Sequence, residues 1–397
     1  MSAPQSETIG GPLDGIRVID ASQGAVGPWA GALLGQLGAD VIKLEAPSGD
    51  FIRAVRPEKR GLSSTYISMN SCKRAIVLDL KTPKDRAEVH RLTGQADVLI
   101  ENFRPGVADR IGIGYDALAA INPRLIYASA SGFGPRGPMV TLGATDPHIQ
   151  AFSGSCSVNG EPGGLRQRWR WYGHFDVNTA VHIVQSVLAA LFERERTGRG
   201  QLLEITMIEA GLDLQRVRMA EHLAGQTPQP MGSATSYLVP DQSFRTQDRP
   251  IAVSVTSRRQ WRALCEVLEL SELIDDPRFA RNPDRVQHRD QLIPILQQVF
   301  SRRPMQFWVA RLQQAHVPCS AFMSFDETRW HQHYIENGMV RIHDSPWGAL
   351  CLCDPPWTFS RTPAHIRPAT PPGHCTDEIV QGDWPPLNPA SSARNAS

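Results

Sequence analysis

An aspartate at the start of a long apolar helix has two chemical uses. Asp176 opens the segment 176–198, where apolar residues recur at Val177, Val181, Val184, Val187, Leu188 and Leu191, and Gly198 stands where a C-cap belongs. As an N-cap its carboxylate would accept free backbone N–H groups, and replacement by Ala would cost about 1 kcal/mol. As a nucleophile it would use the same helix-end N–H groups and dipole to stay ionised, while nearby donors held the oxyanion formed on an attacked carbonyl. An unperturbed aspartate titrates near about 3.9, so the expectation is a fully ionised group at neutral pH that needs no general base. Position alone leaves both uses open.

Other candidates flank it in sequence or lie at strand ends. The run Arg166–Tyr172 mixes Arg and Trp, which suits carboxylate binding, adenine stacking or a subunit interface. His174 lies two residues before Asp176; His182, six residues after it, does not share its helix face and reads as a packing residue. The turn Asp20-Ala21-Ser22-Gln23-Gly24-Ala25-Val26-Gly27-Pro28 could bring backbone N–H groups to phosphate oxygens, or simply join strand to helix; its spacing is not GxGxxG. Lys43 and Glu45 end a predicted strand, and Lys73-Arg74 precede another. These cations read either as phosphate grips or as solvated rims.

The elements that must position these groups alternate. GIRVID (15–20), ADVIKLE (39–45), AIVLDL (75–80), ADVLIEN (96–102), RLIYASA (124–130) and QLLEITM (201–207) read as strands. Between them lie helical segments, among them one from Trp29 to Leu37 and one beginning at Pro83, a residue suited to a first helical turn. This order predicts parallel βαβ units and an α/β layer fold. EAGLDLQRVRMAEHL reads as one helix after the last strand. A turn-rich stretch near 224 then opens a compact αβ pattern, so residues 1–225 are expected to form the main part of a large domain and 226–330 a small one. Residues 331–397 would return to the large domain, with MVRIHD and ALCLCD as a hairpin turning at Ser345–Gly348. The first ten residues and the tail WPPLNPASSARNAS are expected to be disordered.

Composition narrows the function. The 41 basic and 40 acidic residues leave a net charge of +1, so nothing favours nucleic acid or an anionic membrane surface, and any anion must meet a local site. Seven scattered cysteines without a CxxC or Cys/His cluster read as reduced thiols in the cytoplasm rather than disulfides or a metal site. The N-terminus has no signal-peptide pattern, and no run of about 18 apolar residues predicts a membrane span.

Taken together, several segments resemble family III CoA-transferases. They are LDGIRVIDASQGAVGPWAGALLGQLGADVIKLEAPSGDFIR, NSCKRAIVLDLKTPKD, ADVLIENFRPGVADRIGIGYDAL, NPRLIYASASGFG, HFDVNTAVHIVQSVLAALFERERTGRGQ and PPGHCTDEIV. The resemblance implies a Rossmann-like large domain, a smaller α+β domain and an interlocked homodimer, or a heteromer with a related subunit. It implies transfer of CoA from an acyl-CoA donor to a carboxylic acid, with CoA as substrate and no cofactor or metal. Asp176 would be the covalent carrier. CoA contacts would fall on Gln23, Ala25, Lys43, Ala46, Lys73, Arg74, Asn102, Phe103 and Arg110, with Asp146 near the acyl-transfer site. Ala25 and Ala46 stand where formyl-CoA transferase has an active-site Gln and an adenine-stacking Arg, and the Gly-rich lid has no counterpart, so formyl-CoA and oxalate are not the expected substrates. Two rivals share the resemblance. An α-methylacyl-CoA racemase would need a His–Asp pair where Thr145-Asp146 stands, unless His174 substituted. A non-catalytic subunit of a heteromeric transferase would need no carrier.

Overall fold

A computed structural model describes residues 10–59, 61–168, 173–345, 347–364, 366–382 and 384–385. Residues 1–9 and 386–397, within the expected disordered ends, lie outside the described residues, as do Pro346 of the hairpin turn and Trp169–Tyr172 of the Arg/Trp run. The chain divides into two compact units. One takes the chain up to Gly154, a segment ending at Ala224, and the part from Gln332 onward; the other holds Ser155–Arg168 and Gly225–His331.

Strands of the larger unit are β1 (Arg17–Asp20), β2 (Asp40–Glu45), β3 (Lys73–Val77), β4 (Val98–Glu101), β5 (Ile126–Ser131) and β6 (Leu202–Thr206). They form one six-stranded sheet in the order β3-β2-β1-β4-β5-β6, with every neighbouring pair parallel. The central strands are apolar almost throughout because both sheet faces are covered. On one face, Val18, Val98, Ile100 and Ala128 pack with the helices α1 (Val26–Gln36) and α6 (His174–Thr197). On the other, Ile19, Ile42, Leu99 and Tyr127 pack with α3 (Pro83–Thr93), α4 (Tyr115–Ile121) and α12 (Thr376–Gln381). The short helices α2 (Ser64–Asn70) and α5 (Asp146–Phe152) sit between these strands in sequence.

This order reverses between β1 and β4. Chains leaving the carboxyl ends of those two strands turn opposite ways and leave a crevice, the position at which open parallel sheets bind ligands.

α6 ends at Gly198 in the left-handed conformation (φ 71°), as its sequence predicts. By length and composition it could cross a membrane, yet Phe175, Ala180, Ile183, Val184, Val187 and Leu191 lie in the core. The helix expected after β6 is broken in two, α7 (Met207–Leu214) and α8 (Arg216–Leu223). At the break, the Gln215 amide donates to the Gly211 carbonyl at 3.0 Å and to Ser153 Oγ at 3.1 Å, a local alternative to continuing the helix.

The smaller unit pairs β7 (Asp241–Phe244), β8 (Ile251–Ser254) and β9 (Cys319–Ala321) in an antiparallel sheet, with α9 (Arg258–Val267), α10 (Arg289–Phe300) and α11 (Met305–Gln314). Trp261, Phe244, Phe300 and Trp308 centre its own core.

The C-terminal part returns to the large sheet. β10 (Val340–His343) and β11 (Leu350–Cys353) form the antiparallel hairpin, and Leu350 and Leu352 pack with Ile52, Tyr66 and Ile67. Thr370 and Thr376 accept the N–H groups of Ala75 and Val77 at 2.8 and 3.0 Å, satisfying the edge of β3. Trp384, assigned by sequence to the disordered tail, is instead fully buried, and its indole N–H donates to Asp40 at 2.9 Å.

Candidate active site

Three segments meet at the crevice. The turn after β1 and the loop after β4 are tied by one reciprocal amide contact: Gln23 N–H donates to Asn102 Oδ1 at 2.8 Å, and Asn102 Nδ2 donates to the Gln23 carbonyl at 2.6 Å. The third is the start of α6. A cavity of about 750 Å³ opens here. Gln23 and Ala25 line it from the first segment, Asn102, Phe103 and Arg110 from the second and Asp176 from the third, with Asp146 added from the start of α5. Seven positions named from sequence thus line one cavity.

Asp176 is not the cap of its helix. Gly173 occupies the N-cap position and offers no side chain, and the carboxylate of Asp146, on α5, accepts the N–H groups of Phe175 at 2.8 Å and Asp176 at 3.3 Å. Asp146 is itself buried and held by the Gln150 amide. With the helix end served from thirty residues away, the Asp176 carboxylate accepts no hydrogen bond among the described residues and faces the cavity. A Cβ on Gly173 would lie 2.5 Å from Asp176 Oδ2, so a larger residue there would displace the carboxylate.

The expected ionisation of Asp176 is corrected by its surroundings. Burial, and then the neighbouring Asp146 charge, push its carboxyl up from 3.8 to about 7, so at neutral pH the group is about half ionised.

The structure does not bring Lys43, Ala46, Lys73 or Arg74 into the cavity. Lys43 is fully buried, 3.4 Å from Asp50 and 3.8 Å from Asp20, with its ammonium donating to the Ser22 carbonyl. Lys73 is 2.7 Å from Asp20 and donates as well to Pro28 O, Met69 O and Asn70 Oδ1. Arg74 is committed to Asp40 and the Pro385 carbonyl, and Ala46 simply follows β2. Neither lysine presents a free ammonium to a phosphate, because each neutralises carboxylates under the sheet end. Burial alone would raise Asp20, but Lys43 and Lys73 more than offset it and hold the carboxyl below its ordinary value.

That buried network positions the site. Asp50 accepts the Gly24 N–H at 3.2 Å, fixing a turn in which Gly24 takes φ 77°, a conformation suited to glycine.

His182 keeps the packing role its sequence position implies. Its Nε2 lies 3.3 Å from Asp213 Oδ2, between α6 and α7, without a hydrogen bond among the described residues. His174 does not line the cavity, and no histidine does among the described residues. Sequence reading passed over Arg104 and Phe51, which do line it. Arg104 sits inside the ENFRPG motif, but nothing local separates a cavity-facing Arg from a solvated one.

Comparisons with known proteins agree with one another. The family model for CoA-transferase family III matches residues 13–376. Acetyl-CoA:oxalate CoA-transferase of Acetobacter aceti is 36% identical over 369 residues, covering 91% of this chain and 92% of that protein. Succinyl-CoA:glutarate CoA-transferase of Homo sapiens is 30% identical over 375 residues, covering 93% and 85%. Among solved structures, a CAIB/BAIF family protein from Brucella suis superposes with a TM-score of 0.85 at 30% identity, covering 94% of this chain and 99% of that one.

Proposed function

The chain belongs to CoA-transferase family III, and from that premise we propose that it moves CoA between an acyl-CoA and a carboxylic acid through a covalent intermediate on Asp176. One observation carries the reading: the helix-start carboxylate is relieved of capping by Asp146 and faces the cavity. In its ionised form Asp176 attacks the thioester carbonyl, the C–S bond breaks, and a mixed anhydride and CoA thiolate result. The thiolate then attacks the aspartyl carbonyl and expels the donor's carboxylate, leaving an aspartyl-CoA thioester. An incoming carboxylate repeats both exchanges in reverse. Each step exchanges one acyl bond for another, so no oxidant, metal or resident cofactor enters the balance.

The relatives act on oxalate and glutarate by name, which supports a small dicarboxylic acid as acceptor and brings back oxalate, which the sequence did not lead one to expect. The racemase is not favoured: among the described residues the lining titratable groups are carboxylates and arginines, without the His–Asp pair that proton exchange would use. A purely structural subunit would have no need of a carboxylate kept uncapped. A cytoplasmic location is part of the same proposal, and the free thiols of the seven cysteines support it.

A homodimer is proposed to cover the exposed apolar side chains Val181, Leu188 and Phe192 on α6 and Val217 and Leu223 on α8. Light scattering should return twice the 43.8 kDa chain mass; a monomer, or activity only with a second type of chain, would reject the homodimer.

Purified protein is incubated with succinyl-CoA or acetyl-CoA and a panel of acids including oxalate and glutarate, and thioester products and a CoA adduct on the Asp176 peptide are identified by mass spectrometry. Asp176→Ala should lose transfer by roughly a thousandfold or more while still binding CoA. Near-normal turnover in that variant ends the proposal.

A further inference from the structure

Phe51 is 63% exposed, and it lines the cavity beside Gly24. Single exposed apolar residues need no explanation, but this one is mounted with unusual care. It opens a short 3₁₀ turn, Phe51–Ala54, whose cap Asp50 accepts the Ile52 N–H at 3.1 Å and is ion-paired to buried Lys43. Ile52 is buried with Tyr66 and Ile67. Arg53 makes a forked pair with Glu45 at 2.5 and 2.7 Å and lies 3.7 Å over the Tyr66 ring. Both neighbours of Phe51 are therefore locked, while its ring meets the protein only lightly: a Cβ on Gly24 would come within 3.1 Å of the ring's far edge. The result is an exposed aromatic ring on a fixed stretch of backbone, left open at the cavity.

The same cavity presents two guanidinium groups, Arg104 and Arg110, and neither makes an ion pair or hydrogen bond with another described residue. An open aromatic surface and unpaired guanidinium groups on one cavity match a flat heteroaromatic base joined to phosphates, through stacking on the ring and charge-assisted hydrogen bonds to the phosphate oxygens.

We propose that Phe51 is a specificity-determining residue, the platform on which the adenine of the CoA nucleotide stacks, with Arg104 joining Arg110, already an expected CoA contact, at its phosphates. This rests on the CoA-transferase reading of the cavity and adds to it which end of the thioester substrate the aromatic side recognises. Stacking remote from the thioester is uniform binding: it lowers KM without changing kcat.

The test compares wild type, Phe51→Ala and Phe51→Trp with two donors, an acyl-CoA and the corresponding acyl-pantetheine, which lacks the nucleotide. Phe51→Ala should raise KM for acyl-CoA roughly tenfold with kcat unchanged, leave kcat/KM for acyl-pantetheine unchanged, and be rescued by Phe51→Trp. Its melting temperature should match wild type, since the ring is mostly in solvent. Equal effects on both donors, or none on either, overturn the proposal. If wild type transfers no CoA, the reading of the cavity fails separately; calorimetry with adenosine diphosphate then decides Phe51 alone, through weaker binding to Phe51→Ala or equal binding to both.

Discussion

At the residue scale, the two carboxylates at the start of α6 divide labour that sequence assigns to one. Asp146 caps, and Asp176 is left with a proton affinity raised by burial and by that same neighbour. Transfer should follow the ionised fraction of Asp176: kcat/KM for the acyl-CoA falls as pH drops through about 7, by about tenfold near pH 6. Asp146→Asn keeps an oxygen to accept the Phe175 N–H but removes the charge, so the midpoint should move to lower pH. A midpoint unmoved by that substitution would show that Asp146 does not tune the nucleophile. Stability follows the same group. Between 3.8 and about 7 the folded protein keeps a proton that the unfolded chain has lost, so the stability contribution falls as pH rises across that window and levels off above it. Asp176→Asn has no such titration. Its melting temperature relative to wild type should be higher at pH 8 than at pH 5, and a constant difference would argue against the raised affinity.

At the element scale, strand and helix order was legible because hydrophobic periodicity is local. The parallel strands and the α6 pattern occur where the sequence puts them, within a few residues; β3 begins two residues earlier than AIVLDL, at Lys73. The Gln215 break was not legible, since it depends on the partners that side chain meets. Position within α6 is held by close packing on α7: a Cβ on Gly211 would come within 2.2 Å of the Phe175 ring. Gly211→Ala should therefore destabilise the protein by about 1–3 kcal/mol and reduce transfer, because Phe175 adjoins Asp176. Chemical denaturation and steady-state assays check both, and a stable, fully active variant would mean the two helices separate without cost to the site.

At the scale of the whole molecule, the segment from Gln332 closes the far edge of the sheet. Trp384 carries much of this: its ring is fully buried and its indole N–H holds Asp40, which also pairs Arg74. Trp384→Ala should cost about 3–5 kcal/mol and lower the midpoint of denaturant unfolding. A loss under 1 kcal/mol would indicate that the segment merely lies on the surface.

The sequence by itself determined the family, the alternation of strands and helices, and the segments from which the cavity is lined, because these depend on residue order and short-range periodicity. Only tertiary structure decided which carboxylate caps α6, and that Lys43 and Lys73 are spent on Asp20 and Asp50 rather than offered to phosphate. It also decided that Asp176 titrates near neutrality and that Phe51 and Arg104 face the same space. Each of these turns on burial or on a partner many residues away, and the charge state of a side chain is a property of what surrounds it, which no local stretch of sequence contains.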